Sequence, residues 1–258
     1  MSELKKILTQ WRTSPEMAET ISTWHVKPAQ NALQAHFPAE LHPKLRRALN
    51  NTGIDALYAH QLVAFNHLND GRNIVVATGT ASGKTLCYNL AVIDHLLKNP
   101  QSTALYLFPT KALAQDQLQT LNRLLESAGI KDEIKPAIYD GDTPSQHRSA
   151  IRKSSRLVFT NPDMLHQGIL PHHTLWNHLL AGLAFVTVDE IHIYRGVFGS
   201  HVANVIRRLK RICAFYGSYP SFAMTSATIG NPLELAENLT ENQVELVGQD
   251  GSPHGEQN

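Results

Sequence analysis

The sequence predicts an α/β fold, a doubly wound and mostly parallel sheet with an N-terminal helical extension. Two observations carry this. From about residue 70, short apolar runs alternate with helical patterns, as βαβ units require. The runs are also near-continuously apolar and rich in Val, Leu and Phe, as a sheet buried on both faces requires. They are "NIVVAT" (73–78), "TALYLF" (103–108), "KPAIYD" (135–140), "RLVFT" (156–160), "AFVTVD" (184–189), "SFAMTS" (221–226) and "VELV" (244–247). Helical patterns at 84–98 and 110–128 separate some of them. Sheets of this kind bind ligands outside the carboxyl ends of their strands, where the polar motifs of this chain fall.

The flanks read differently. Residues 1–52 read as helices and loops, with Ser14 as a cap and Pro15 at a first helical position. They are expected to form a helical extension on a domain spanning 53–248. Residues 249–258, "QDGSPHGEQN" after Gly248, are polar and aperiodic and read as a tail or linker.

Composition narrows the function classes. The 258 residues are 42% hydrophobic and 17% charged, which favours a packed core over long disorder. The net charge of +1 does not mark a polyanion binder, so any such site must come from local clustering. Cys87 and Cys213 lie in apolar patterns without metal-like spacing and read as buried free thiols. There is no secretory leader and no run of the ~18 apolar residues that a membrane helix needs. A cytoplasmic protein with no membrane contact is expected.

The stretch "ATGTASGKT" (77–85) follows an apolar strand and opens an apolar-periodic helix. In that context it reads as a phosphate-binding loop. Thr80, Ala81, Ser82 and Gly83 form the cradle, helix-opening amides and the helix dipole favour an anion, Lys84 reaches the β- and γ-phosphates, and the Thr85 hydroxyl can ligate Mg²⁺. The usual pattern wants glycine at position 78, where Thr78 stands. Gly79 comes one position late, and Ala81 occupies a place where many such loops have glycine. The second motif is "VTVDEIHIYRG" (186–196), an apolar strand ending in two carboxylates. Asp189 can hold Mg²⁺ and Glu190 can orient and deprotonate an attacking water. Alone, adjacent acids at a strand end are often just solvated. Coupled to a phosphate loop, they point to hydrolysis of a phosphoanhydride.

In order along the chain, "YAHQ" (58–61), "TASGKT", "PTKALAQDQ" (109–117), "YDGD" (139–142), "TNPDMLH" (160–166), "DEIH" (189–192) and "SAT" (226–228) resemble the motifs of the first motor lobe of superfamily-two helicases. The resemblance covers about three-quarters of the chain. The longer stretches "TGTASGKTLCYNL" and "DEIHIYRGVFGSHVANVIRRLKRI" are similar to the DEAD/DEAH-box-like DNA helicases of the bacterial mitomycin-repair group. That family also carries Thr-Gly-Thr-Ala before Ser-Gly-Lys-Thr, which makes the missing first glycine a feature of the branch.

The resemblance implies a RecA-like ATP-binding lobe of a 3′-to-5′ DNA helicase or translocase used in DNA repair, with ATP and Mg²⁺ as cofactors. Gln61 would read the adenine edge, and Tyr58 would pack near the base or cap its helix. His192 would link the nucleotide site to Ser226 and Thr228. Single-stranded DNA, or RNA, would meet Thr110, Lys111, Gly141, Thr143, Thr160 and Asn161. The acids Asp142 and Asp163 would hold loops rather than touch phosphate. Basic runs at Arg148–Arg156 and Arg207–Arg211 read equally as solvated faces, and Arg195 and Gly196 as a substrate-facing loop by resemblance alone. Thirty residues follow "SAT", too few for a second sheet, so a second RecA-like lobe in cis or trans is an expected partner. An RNA helicase lobe, or a nucleotide-gated interaction module with little turnover, are the alternatives.

Overall fold

A computed structural model describes residues 3–18, 20, 23, 28–79 and 81–255. All seven expected strands form. Two short strands precede them, β1 (Gln34–Ala35) and β2 (Leu57–Tyr58), paired antiparallel. The seven are β3 (Asn73–Val76), β4 (Thr103–Leu107), β5 (Pro136–Ile138), β6 (Leu157–Thr160), β7 (Leu183–Val188), β8 (Ser221–Thr225) and β9 (Val244–Val247). They make one sheet in the order β5-β6-β4-β7-β8-β3-β9, parallel at every pairing.

Strand alternation explains why the runs are apolar throughout. Ile74, Val76, Ala104, Tyr106 and Phe159 enter the core on one face of the sheet. Val75, Leu105, Leu107, Val158, Val186 and Val188 enter the core on the other. With both faces covered, a central strand has little room for polar side chains. The first face stacks Phe108 on Phe159, with ring centroids 5.6 Å apart and planes within 8°. The second seals Trp176 edge-on against Tyr139 at 4.6 Å.

The helices fall where periodicity places them. Lys84–Lys98 and Lys111–Ser127 match the expected 84–98 and 110–128 within one residue at each end. The helix Gly196–Phe215 buries Val202, Val205, Ile206 and Leu209. Its basic residues point away from that stripe, and two are fastened. Arg207 forks onto Glu241 at 2.6 and 3.0 Å, and Lys210 donates to Thr240 O and Asn242 Oδ1 at 2.7 Å each. Arg156 is likewise structural, its guanidinium donating to the carbonyls of Ser102, Glu133, Leu96 and Asn99.

Two compact units are present, Leu33–Gly251 and Met1–Ala32 with Ser252–Asn258. The expected boundaries at 52 and 248 therefore shift. Residues 33–52 belong with the sheet because the helix Pro43–Asn51 buries Leu45, Ala48 and Leu49 in the first core. Its entry is pinned by the buried Asp94 carboxylate, which accepts from His42 N–H at 2.6 Å. Residues 249–251 also belong with the sheet. The smaller unit contains the helices Glu3–Thr13 and Pro15–Ala18, the second opened by Pro15 as expected, and a bridge between Gln30 and His254. Among the described residues no helix is long and apolar enough to cross a membrane. Cys87 and Cys213 are free and buried, and burial pushes their thiols up to about 12 and about 11.

Candidate nucleotide and nucleic-acid sites

The phosphate loop leaves β3, and the acidic pair leaves β7. Between those strands lies β8, which ends at Thr225. The sheet order thus sets residues 77–85, 189–192 and 225–228 side by side at one rim. The loops after β4, β5 and β6, which carry the nucleic-acid candidates, lie along the other half of the same rim.

Gly83 sits in the left-handed region at φ 79° and caps the helix Lys84–Lys98. A side chain there would meet Gln61 Nε2 at 2.6 Å. Gly83 is therefore required twice, by its backbone and by the close approach of Gln61. Ala81 also lies in the left-handed region, at φ 60°. An alanine there carries roughly 1–2 kcal/mol of strain, which explains why glycine is common at this place in such loops. Thr80 lies outside the described residues. Ser82 is buried, its Oγ 2.6 Å from Thr78 Oγ1. Lys84 folds back on the loop, its ammonium donating to Thr78 O at 3.1 Å and Gly79 O at 2.8 Å. Phosphate oxygens are stronger acceptors than these carbonyls, so a polyphosphate can draw the ammonium off them. Thr85 is half-buried in the first turn of the helix, beside a cavity of about 730 Å³ that Tyr58, Gln61 and Asn89 also line.

Gln61 is already engaged. Its Oε1 accepts from Tyr58 N–H at 2.9 Å and its Nε2 donates to Gly83 O at 3.2 Å. It joins the start of the helix Ala59–Asn69 to the phosphate loop, and one lone pair and one N–H remain to face a base. Tyr58 precedes that helix and stacks on His60 at 5.8 Å.

Asp189 and Glu190 are organised by Thr225, a residue that sequence reasoning missed. The Thr225 hydroxyl donates to Asp189 Oδ1 and accepts from Glu190 N–H at 3.1 Å. Burial pushes the Asp189 carboxyl up to about 6, and the neighbouring Glu190 adds to this, while the Thr225 bond and the Lys84 charge oppose it. A buried carboxylate held at a cost is a fitting ligand for a cation. Glu190 occupies the left-handed region at φ 54°. Such strain in a non-glycine residue concentrates where function demands a particular side-chain direction. Its Oε2 is buried without a hydrogen-bond partner, as is Ser226 Oγ. Together, buried polar atoms without a protein partner, a raised carboxyl and a loop of helix-opening amides fit a magnesium nucleotide. Were a metal bound there, Thr85 and Asp189 would be the groups to hold it.

His192 meets the segment after β8 at Ala227, whose N–H donates to Nδ1 at 3.1 Å. Glu190 Oε2 lies 3.1 Å from the same nitrogen. Nδ1 thus lies within reach of both the Ala227 amide and the Glu190 carboxylate. Ser226 is fully buried and Thr228 is exposed, so the link from His192 runs to the backbone between them.

The nucleic-acid candidates divide. Thr160 is 2% exposed and its hydroxyl donates to Tyr139 O at 2.7 Å. Asn161 caps the turn Pro162–Met164 by accepting from Met164 N–H at 2.8 Å. Thr110 caps its helix through Leu113 N–H at 3.2 Å, and Thr143 Oγ1 accepts from Asp140 N–H at 2.9 Å. These bonds fasten each of the four residues to its own loop or helix cap. The same rim carries the backbone at Gly141 and the Lys111 ammonium, which pairs with the exposed Asp142 at 2.6 Å. Asp142 thus holds the loop, as expected of it. Arg148 is spent on the carbonyls of Thr143, Asp140 and Gly141.

Comparison with known proteins agrees with this geometry. The DEAD/DEAH box helicase family model matches residues 58–236. The chain is 51% identical over 251 residues to a Bacillus subtilis protein described as the uncharacterized ATP-dependent helicase YprA, covering 97% of this chain and 33% of that protein. It is 41% identical to the Saccharomyces cerevisiae ATP-dependent helicase HRQ1, covering 99% of this chain and 24% of that protein. Among solved structures, the DUF1998 helicase MrfA bound to DNA and AMPPNP superposes with a TM-score of 0.92 at 48% identity, over 99% of this chain and 35% of that one. The chain spans about a third of the length of YprA and of MrfA. With the phosphate loop, the acidic pair and the His192 link assembled on one rim of a parallel sheet, the chain belongs to the DEAD/DEAH box helicase family.

Proposed function

We propose that this chain is the ATP-binding lobe of an ATP-dependent DNA helicase or translocase that moves 3′ to 5′ in DNA repair. The observation that carries the reading is the cluster in which Thr225 aligns Asp189 and Glu190 beside the phosphate loop. Loop amides and Lys84 bind the β- and γ-phosphates, and Glu190 takes the proton of the attacking water. Thr85 and Asp189 would hold Mg²⁺, which would supply charge neutralisation at the phosphates. A second RecA-like lobe, in cis or in trans, is the partner that would complete the strand path and supply an arginine finger. Without such a finger, phosphoryl transfer in related enzymes slows by ~10³–10⁵, so turnover by this chain alone is expected to be slow. Two buried free thiols support a cytoplasmic setting.

DNA is favoured as the substrate because MrfA, similar over nearly the whole chain, is solved bound to DNA. The test is ATP hydrolysis by the purified chain with no nucleic acid, with single-stranded DNA and with RNA of matched sequence. Stimulation by DNA above RNA is the expected result. Equal or greater stimulation by RNA would make this an RNA helicase lobe. Binding without turnover, even when a second lobe is supplied, would make it a nucleotide-gated module.

The buried Thr160 allows a sharper check. Thr160→Val is expected to lower folding stability by about 1 kcal/mol, by loss of one hydrogen bond, and to leave affinity for single-stranded DNA unchanged. A fluorescence-anisotropy titration beside a urea melt measures both. Lost DNA affinity with unchanged stability would return Thr160 to the strand path.

A further inference from the structure

The segment after β9 does not leave the sheet as a free linker. Asp250 Oδ2 accepts from Gly79 N–H at 3.1 Å, at the base of the phosphate loop. Gly251 N–H donates to His60 Nδ1 at 3.1 Å, and His60 Nε2 lies 3.0 Å from Ser82 O, at the far end of the same loop. Because Nδ1 accepts the Gly251 proton, the imidazole is the neutral Nε2–H tautomer and donates to Ser82 O. Burial lowers the His60 pKa, in keeping with that neutral form. Gly251 is itself anchored: its carbonyl accepts from Leu33 N–H at 2.9 Å, and Leu33 O accepts from Ala59 N–H at 2.8 Å.

The late glycine of the loop gains a reason here. A Cβ on Gly79 would stand 3.0 Å from Asp250 Oδ2, tighter than side-chain contacts normally allow. Glycine at 79 lets the carboxylate sit where it does, and a side chain there would push it by a few tenths of an ångström. At 78 a threonine is tolerated, and its hydroxyl closes the loop onto Ser82.

We propose that Asp250 and His60 are positioning residues of the nucleotide site: they latch the phosphate loop at Gly79 and Ser82, so that its amides face the phosphates before nucleotide arrives. The proposal rests on the nucleotide-binding reading above. Neither residue touches the reacting atoms. The latch acts by pre-organising the loop, so its loss weakens nucleotide binding.

The experiment is a fluorescence titration of the full chain with a mant-labelled ATP analogue and Mg²⁺, with a thermal melt of each nucleotide-free variant. Loss of a hydrogen bond to a charged group corresponds to roughly tenfold in affinity, so Asp250→Ala is expected to raise Kd by about that factor. Asp250→Asn keeps an acceptor for Gly79 N–H and is expected to restore binding. Gly79→Ala should weaken binding in the wild-type background and add nothing in the Asp250→Ala background, since its Cβ acts by displacing the Asp250 carboxylate that the second change removes. Wild-type affinity in Asp250→Ala, additive effects of the two changes, or an Asp250→Asn variant as weak as Asp250→Ala would each overturn the latch. If Asp250→Ala does not fold, Gly79→Ala decides: weaker binding with a cooperative melt supports the latch, and unchanged binding refutes it. A wild-type chain that binds no better than Lys84→Ala would overturn the nucleotide site itself, and the latch with it.

Discussion

Asp189→Asn is expected to make the nucleotide-free chain more stable at neutral pH while abolishing its turnover. Asp189 is 6% exposed, and burial raises its carboxyl from the ordinary 3.8 to about 6. A group whose pKa is higher folded than unfolded binds more protons in the native state across that interval. Its contribution to stability is therefore complete below about pH 4 and is lost as pH rises through about 6. At pH 7.5 the ionised carboxylate costs the fold up to about 3 kcal/mol, the shift taken at 1.36 kcal/mol per unit. Asparagine carries no charge to desolvate, and its amide oxygen still accepts from the Thr225 hydroxyl. For a domain of this size each kcal/mol moves Tm by about 2–4 °C, so a rise of several degrees is expected at pH 7.5 and little at pH 4. Urea melts of both proteins at several pH values measure the difference. A variant no more stable than wild type at pH 7.5, with the same slope between pH 4 and 6, would show that the carboxylate is not strained by burial. The trade of stability for chemistry is what a cation ligand kept in a dry site entails.

Much of this was legible in the sequence, for identifiable reasons. A strand covered on both faces has few polar positions, so the central strands stood out as nearly unbroken apolar runs. The phosphate loop and acidic pair were legible because their chemistry depends on residue type at fixed spacing on one element. What escaped was polar structure made across distance. Thr225 read as one more residue of an apolar strand, although its hydroxyl organises both carboxylates. Asp250 read as part of a tail, because nothing local reveals a bond to a residue 171 positions earlier. The helix Pro43–Asn51 read as extension because "PKLRRALNN" shows only three core side chains among six polar or proline positions. Thr160 and Asn161 read as strand contacts because a hydroxyl or amide at a loop could serve either a ligand or its own backbone. In the structure the Thr160 hydroxyl donates to Tyr139 O and Asn161 Oδ1 accepts from Met164 N–H.

Glu190→Gln and Lys84→Ala are expected to separate chemistry from binding. Glu190 leaves β7 in the left-handed conformation, its N–H fixed by Thr225, so its side chain departs from the direction that strand alternation would impose. Its Oε2 is buried without a hydrogen-bond partner and lies 3.1 Å from His192 Nδ1. A carboxylate oxygen left free in that position can accept a proton from water, and glutamine of the same shape cannot. Loss of a positioned general base typically costs 10²–10⁴ in rate, so Glu190→Gln should bind the ATP analogue like wild type while hydrolysis falls by about that factor. Lys84→Ala removes the ammonium that would leave the Thr78 and Gly79 carbonyls for the phosphates, and should weaken binding by about ten- to a hundredfold. Single-turnover hydrolysis with protein in excess over labelled ATP gives the range needed when turnover is slow. Glu190→Gln hydrolysing at the wild-type rate would move the base elsewhere on the rim. Were both variants to lose binding equally, Glu190 would be acting on the bound nucleotide itself, and its strained backbone would be serving affinity instead of proton transfer.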